Sequence, residues 1–192
     1  IRAAGVVVVD NLTGVTANGI SGGAGCGGGT GTPGTPNYWI NPAGGLWSNA
    51  NNWSARKVPT ATDHAIITLG GTYTVTVNST VTVGSLTLGA GSGVQTLWVQ
   101  NVTLTVNNDV RNSGVIRLES QAGAFTSALT IVNGLLTNNR VINVGLGSGG
   151  ARAITGQVCN RCRVDVHQSM TFSGTFYNRS IVDIDTTKQM SL

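Results

Sequence analysis

This chain repeats, in altered form, the stretch Leu104-Thr-Val-Asn-Asn-Asp-Val-Arg-Asn-Ser-Gly-Val-Ile-Arg-Leu118. The other copies are Val75-Thr-Val-Asn-Ser-Thr-Val-Thr-Val-Gly-Ser-Leu-Thr-Leu88, Thr130-Ile-Val-Asn-Gly-Leu-Leu-Thr-Asn-Asn-Arg-Val-Ile-Asn-Val144 and Met170-Thr-Phe-Ser-Gly-Thr-Phe-Tyr-Asn-Arg-Ser-Ile-Val-Asp-Ile184. Their starts are separated by 29, 26 and 40 residues. Several short strands in each period of this length predict coils that bury their apolar faces only by stacking on one another.

Alignment of the copies predicts which side chains face the core and which form corners. The predicted core columns are Val77, Val106, Val132 and Phe172, and Val81, Val110, Leu136 and Phe176. The predicted corner columns are Asn78, Asn107 and Asn133 with Ser173, and Asn112, Asn138 and Asn178. Asparagine tolerates the left-handed conformation of tight corners, and its amide can bond to an equivalent amide in the next coil.

Composition supports the same fold class, an all-β parallel β-helix, or β-solenoid. The 192 residues include 28 Gly, 25 Thr, 23 Val and 18 Asn, which are residues of strands and tight turns. Good helix formers are scarce, and no stretch sustains a helical apolar period. An antiparallel sandwich is the alternative fold, but it gives no reason for matching Asn columns.

Four segments precede or interrupt the repeats. The sequence predicts a β-strand arm over residues 1–20, carrying Val6, Val7, Val8 and Val9, and a Gly/Pro-rich linker over residues 21–36. A Trp-rich cap segment follows at 37–70, and the solenoid coils occupy 71–192 with an insertion near 145–163. The insertion explains the longest interval between copies.

The cap segment contains Trp39, Trp47 and Trp53. Large rings at the end of a repeat array can plug an otherwise open core. The alternative is a platform on which sugar rings stack.

Three cysteines, Cys26, Cys159 and Cys162, leave their chemistry open. A disulfide is favoured, either within the Cys159-x-x-Cys162 pair or between one of these and Cys26, because secreted chains oxidise their cysteines. Free thiols and a metal site are the alternatives, but one such pair lacks the four ligands of structural zinc.

Charge and hydropathy exclude several partners. Charged residues make up 9% of the chain, and the net charge of +4 comes from scattered arginines without a basic patch. We therefore expect no nucleic-acid site. No apolar run approaches the roughly 18 residues of a membrane span. No leader pattern opens the chain, so we expect any signal peptide to be absent from this sequence.

The segment Gly45-Leu-Trp47-Ser-Asn-Ala-Asn-Asn-Trp53-Ser, followed by Val58-Pro59-Thr-Ala-Thr-Asp63, resembles one found in large secreted bacterial surface proteins. There it precedes right-handed β-helical repeats, and the repeats here are similar to those of autotransporter and haemagglutinin-type adhesins. The resemblance covers about residues 39–184. It implies a β-helical fold and an extracellular or cell-surface location, and it transfers no catalytic residues.

A search for catalytic groups finds none that we would assign. Glycoside hydrolysis needs two carboxylates flanking the bond, and only Asp183 and Asp185 form a same-face pair, in the last strand. Neither His64 nor His167 lies in a nucleophile motif. We expect a protein that is not an enzyme, with no cofactor and no metal.

The sequence therefore predicts an extracellular structural or adhesive protein that forms homo-oligomers or polymers. Exposed strand edges at the solenoid ends must be capped or paired, so we expect filaments formed by strand addition or end-to-end stacking. The alternatives are a monomeric adhesin fragment that binds surface glycans, and a polysaccharide-active β-helix enzyme. An arm of four valines is prone to aggregate when unpaired, and it is the predicted element of assembly.

Overall fold

The chain forms a β-solenoid of about six turns built from parallel sheets. The computed structural model describes Cys26 and residues 34–121 and 123–191. The strands are β1 (Thr35–Tyr38), β2 (Gly45–Leu46), β3 (Asp63–Ile67), β4 (Tyr73–Val77), β5 (Val81–Val83), β6 (Ser85–Leu88), β7 (Gln95–Val99), β8 (Thr103–Val106), β9 (Val110–Asn112), β10 (Val115–Leu118), β11 (Ser127–Asn138), β12 (Val141–Val144), β13 (Arg152–Asn160), β14 (Arg163–Val166), β15 (Met170–Asn178), β16 (Ile181–Ile184) and β17 (Met190–Ser191). A 3₁₀ turn spans Ala50–Asn52.

Two sheets enclose the core on three sides. One sheet runs in the order β1-β3-β6-β9-β11-β13-β15-β17, and β5 and β8 join it through β11. The first half of β11 pairs with β8 and its second half with β9, so this sheet covers two sides of each coil. The second sheet runs β16-β14-β12-β10-β7-β4-β2 and forms the third side.

Alternation along each strand fills the core with stacked aliphatic side chains. On the third side, Val75, Leu97 and Ile116 occupy successive rungs and are fully buried. Their neighbours Thr74, Thr96 and Val115 face outward in the same register. The Val/Thr alternation read from the sequence therefore marks the inside and outside of the coil.

The predicted Asn corner lies between the second and third sides, and its side chains form a ladder. The Nδ2 of Asn112 donates to Oδ1 of Asn138 at 2.7 Å, and Asn138 donates to Asn160 at 2.8 Å. Asn160 donates to Asn178 at 2.8 Å. Asn112, Asn138 and Asn160 are completely buried, and each also donates to a backbone carbonyl of the next coil.

Asn160 shows that the predicted insertion at 145–163 is wrong. Residues Arg152–Asn160 form β13, which pairs with β11 on one side and β15 on the other, so they constitute a further coil. The ladder residues are 26, 22 and 18 positions apart, and this shortening hides the coil from a fixed-period alignment. Only the loop 145–151 protrudes, and the buried Arg152 guanidinium holds it by donating to the Gly149 carbonyl at 2.8 Å.

Most of the predicted core residues are buried, but the columns are partly misassigned. Val110, Leu136 and Phe176 share one column, through Val158. Val77 lies on the third side and pairs with Val99, whereas Val106 lies on the first sheet. In the first copy Leu88 occupies the rung that holds the ladder Asn in the later copies. This copy therefore lacks the residue that fixes its register.

The buried core residues among those predicted are Val77, Val106, Val110, Leu136, Phe172 and Phe176, and Val81 is half-buried.

Val132 is the clear error in the predicted core. Its side chain is 53% exposed, and Ile131 takes the buried position opposite Val106. Leu129 and Ile131 point inward, so alternation places Val132 outward. After Ile131, β11 contains one residue more than the preceding coil, because Ile131 pairs with Val106 and Leu136 with Val110.

The other predicted corner column is not a side-chain ladder. Asn133 is joined to Asn107 through the backbone, with its N–H donating to the Asn107 carbonyl at 2.9 Å. The Asn107 side chain instead donates to the Ala61 carbonyl at 3.0 Å. Asn78 lies after β4 on the third side, where its Oδ1 accepts from the Ser48 N–H.

The domain boundaries can be compared only in part. The predicted arm at 1–20 lies outside the described residues, as does most of the predicted linker at 21–36. Thr35 and Pro36, at the end of that linker, already belong to β1 and pair with β3.

Replacement of Asn138 by Ala tests the ladder. The change removes the hydrogen-bond partner of the Asn112 amide nitrogen, the Asn160 amide oxygen and the Arg163 carbonyl. Each buried group left unsatisfied lowers the free energy of unfolding by about 1–3 kcal/mol. We expect a clear loss of unfolding free energy in urea melts, while Asn139→Ala, at an exposed position of the same corner, changes it little. Equal stability of the two variants would contradict the ladder.

Aspartate at adjacent positions of β11 tests the inside and outside of this strand. Ile131→Asp buries an unpaired charge and should cost several kcal/mol, whereas Val132→Asp places the carboxylate in solvent. Thermal melts followed by circular dichroism should show a large fall in Tm for the first variant only. The reverse ranking would restore Val132 to the core.

Candidate functional site: the two ends of the solenoid

The N-terminal end of the solenoid is closed by aromatic rings. Trp39 and Trp47 both pack edge-on against Trp53, with ring centroids 5.1 and 4.7 Å away. The three side chains are at most 2% exposed. The indole N–H of Trp53 donates to the Trp47 carbonyl at 2.9 Å, and that of Trp39 donates to the Asn41 carbonyl at 2.6 Å. The three rings thus pack into the core at this end, and their burial leaves no exposed ring face on which a sugar could stack.

The same segment also covers the backbone edge of the first strand. Trp53 forms an antiparallel bridge with Trp39, the Ile40 N–H donates to the Asn52 carbonyl at 2.9 Å, and the Ser54 N–H donates to the Tyr38 carbonyl at 2.8 Å. This reversal leaves the outer edge of β1 already paired. A further parallel strand therefore cannot add there without displacing the cap.

Asp63 ties the cap to the first full coil. Its carboxylate accepts from the Thr60 N–H at 2.8 Å and from the Thr60 hydroxyl at 2.7 Å, and the Lys57 ammonium lies 3.3 Å away. Burial acts to raise the pKa of Asp63, but the hydrogen bonds from Thr60 and the charge of Lys57 outweigh it, so the pKa lies below its ordinary value. The carboxylate thus helps to hold the closed end.

The C-terminal end is built differently. Phe172 and Phe176 plug the core with centroids 5.3 Å apart, and β17 pairs with the start of β15. In the part of the chain that the structure describes, no strand pairs with the outer edge of β16. The last ladder residue, Asn178, donates to the Ser180 carbonyl of its own corner instead of to a further coil.

The direction of each amide in β16 follows from its pairing. The Ile181 N–H donates to the Cys162 carbonyl at 2.9 Å, and the Asp185 N–H donates to the Val166 carbonyl at 3.0 Å. Successive N–H groups point to opposite edges of a strand, so those of Val182 and Ile184 face outward. Together with the outward carbonyls they form a row of groups that a further strand could pair.

A disulfide lies close to this open end. Cys26 is bonded to Cys159 of β13, and Cys162 is free. The bonded pair packs with Leu135 and Tyr177 on the outside of the first sheet. The expected disulfide is confirmed in its Cys26 form, and it joins two segments of one chain. It therefore fixes the point from which the predicted arm, outside the described residues, departs.

The acidic residues Asp165, Asp183 and Asp185, near the C-terminal end, contact basic side chains. Asp183 lies 2.9 Å from the Arg163 guanidinium, which also contacts Asp165, and Asp185 lies 3.1 Å from the His167 ring. The two members of the Asp183/Asp185 pair thus contact different side chains, Arg163 and His167. Within residues 34–121, 123–191 and Cys26, no three His, Cys, Asp or Glu side chains group as a metal site would require.

The structure of these residues likewise includes no helix of the length and apolarity that crossing a membrane requires.

No protein-family model, curated protein or solved structure matches the chain. Its class therefore rests on its own geometry, which defines a β-solenoid. Among the described residues, the edge of β1 is covered and the outer edge of β16 carries no further strand.

Lowering the pH tests the role of Asp63. Because its pKa is depressed in the folded state, its stabilising contribution is present above the unfolded value of about 3.9 and is lost as pH falls further. Asp63→Asn should lower the Tm at pH 7, and the difference from the unaltered protein should shrink below pH 4. A difference that is constant between pH 7 and pH 3 would contradict this assignment.

Proposed function

We propose that this chain is an extracellular, non-enzymatic structural protein of a cell surface that assembles by strand addition at the outer edge of β16. The observation that carries the proposal is the asymmetry of the ends. The cap already pairs the edge of β1, whereas no strand in the described part of the chain covers the outward amides of Val182 and Ile184. The resemblance of the repeats to those of secreted bacterial adhesins supports the location.

The proposed occupant of the free edge is the valine segment Val6–Val9 of a neighbouring copy. Four consecutive β-branched residues have high strand propensity and carry no charge that would oppose pairing. In strand addition, main-chain hydrogen bonds supply affinity and alternate side chains enter pockets. Ile184 is half-buried against the core, so an added strand could complete its burial.

The tether is long enough for this contact. Val9 and Cys26 are 17 positions apart, a contour of at most about 55–60 Å. The disulfide holds Cys26 on β13. On this side of the first sheet only β15 lies beyond β13 among the described strands, so the anchor is two strand spacings, about 10 Å, from the position of a further strand. An arm anchored here can reach the open edge of an adjacent molecule.

Arm-to-edge contacts also favour an open chain of molecules over a closed pair. Each copy would offer one arm and one edge, which are different surfaces, and heterologous contacts of this kind propagate unless the rotation closes a ring. End-to-end stacking of solenoids is less favoured, because one of the two ends is capped. Two open ends could meet, but that contact stops at a dimer.

Proline in β16 tests the edge. Ile184→Pro removes an outward N–H while leaving the pairing to β14 intact, a position where edge strands tolerate proline. The matched control is Ile184→Ala, which loses the same side chain but keeps the N–H. Sedimentation and negative-stain microscopy should show assemblies for the unaltered protein and for Ile184→Ala, and a strong reduction for Ile184→Pro.

Deletion of residues 1–20 is the second part of the same test. We expect the shortened protein to remain monomeric with an unchanged fold by circular dichroism. Assemblies that form as readily without the arm, or with Ile184→Pro, would contradict strand addition at this edge.

A further inference from the structure

A continuous row of hydroxyl side chains crosses five consecutive coils on one side of the solenoid. The register pairs Thr82 with Thr105, Thr105 with Thr130, Thr130 with Thr155, and Thr155 with Ser173. Each residue lies next to core side chains in its strand, so its own side chain faces outward. Thr82, Thr155 and Ser173 are exposed, and the other two are half-buried.

A second row runs beside the first, two residues earlier on the same strands. It consists of Thr103, Ala128, Ala153 and Thr171, again in direct register. Adjacent strands are about 4.8 Å apart, and residues two positions apart in a strand are separated by about 6.6 Å. The two rows, which we call the Thr face, therefore repeat in two dimensions on a backbone fixed by hydrogen bonds.

The Thr face is uncharged. Residues 81–83, 103–107, 128–133, 153–157 and 171–175 contain no Asp, Glu, Lys, Arg or His. The third side of the solenoid is different, with Arg117, Arg163, Asp165 and Asp183 in outward positions. A concentration of charge is the usual footprint of nucleic acids and anionic membranes as partners, and the Thr face has none.

The hydroxyls of the face are also available. Within the described part of the chain, the side chains of Thr82, Thr105, Thr130, Thr155 and Ser173 form no hydrogen bond. A threonine hydroxyl both donates and accepts, and the adjacent methyl group restricts the orientation of nearby water. Each of the four Thr rungs thus presents one anchoring group and one ordering group, and Ser173 presents the hydroxyl alone.

A partner for this surface must be uncharged, extended and periodic. Crystalline polysaccharides meet the last two conditions, but their recognition relies on aromatic rings, and the Thr face has none. Water itself is the ligand that donates and accepts at every site, and ice is the phase in which it repeats in two dimensions. We propose that the Thr face binds ice, through water molecules that its hydroxyls anchor and its methyl groups order.

This activity is independent of the assembly proposed above, because the Thr face lies on the first sheet and the free edge on β16. Assembly would nevertheless strengthen it. Several Thr faces joined in one particle bind the ice surface together, so when one face dissociates the particle stays attached through the others.

Partition into slowly frozen ice tests the proposal with the full chain. The bulky variant Thr130→Tyr interrupts the middle of the row, and Thr155→Tyr repeats the change at a more exposed rung. The matched control is Thr96→Tyr, at an outward position of β7 on the third side. Thermal melts establish that all three variants are folded. Thermal hysteresis and inhibition of ice recrystallisation are measured at equal protein concentration.

We expect the unaltered protein and Thr96→Tyr to enter the ice and to inhibit recrystallisation, and both Thr-face variants to lose these activities. Exclusion of the unaltered protein from ice would overturn the proposal. So would full activity in Thr130→Tyr and Thr155→Tyr, or retention on insoluble cellulose or chitin without incorporation into ice.

Discussion

The buried hydrogen bonds from Asn112 through Asn138 and Asn160 to Asn178 are the constraint on which the coils depend. A primary amide out of reach of water must find partners for its oxygen and its nitrogen, and here each amide finds them only when the next coil is in register. The separation of ladder residues falls from 26 to 22 to 18 positions, yet the ladder continues. Changes in coil length are therefore absorbed elsewhere, chiefly before the first sheet begins its next strand.

Stacking in register has a consequence at each end, where the last strand has an unmatched edge. The N-terminal end resolves this with three tryptophans and a chain reversal, and Asp63 ties that reversal to the first coil. The C-terminal end fills its core with Phe172 and Phe176 but leaves the backbone of β16 without a strand among the described residues. This difference gives the particle a direction, and it is what supports assembly through one end.

The sequence was sufficient for the fold class because stacking leaves a repeat that can be read directly. It also located one Asn corner, and the three tryptophans that it grouped in one segment do pack together. It failed at Val132, because alignment of the copies without a gap placed Val132 opposite Val106, whereas an extra residue in β11 after Ile131 puts Ile131 there. It also missed the coil at Arg152–Asn160, although Asn160-Arg-Cys-Arg163 carries the same Asn and spacing as the other corners. The free edge and the Thr face depend on neighbours from several coils, which a single stretch of sequence does not display.

Hydrogen exchange measured by mass spectrometry at increasing protein concentration tests the central claim, that the solenoid is closed at one end and open at the other. The account predicts that the outward amides of Val182 and Ile184 gain protection as concentration rises, while exchange in the Trp39–Trp53 segment stays constant. Protection that appears at the Trp cap, or exchange at β16 that does not depend on concentration, would contradict it.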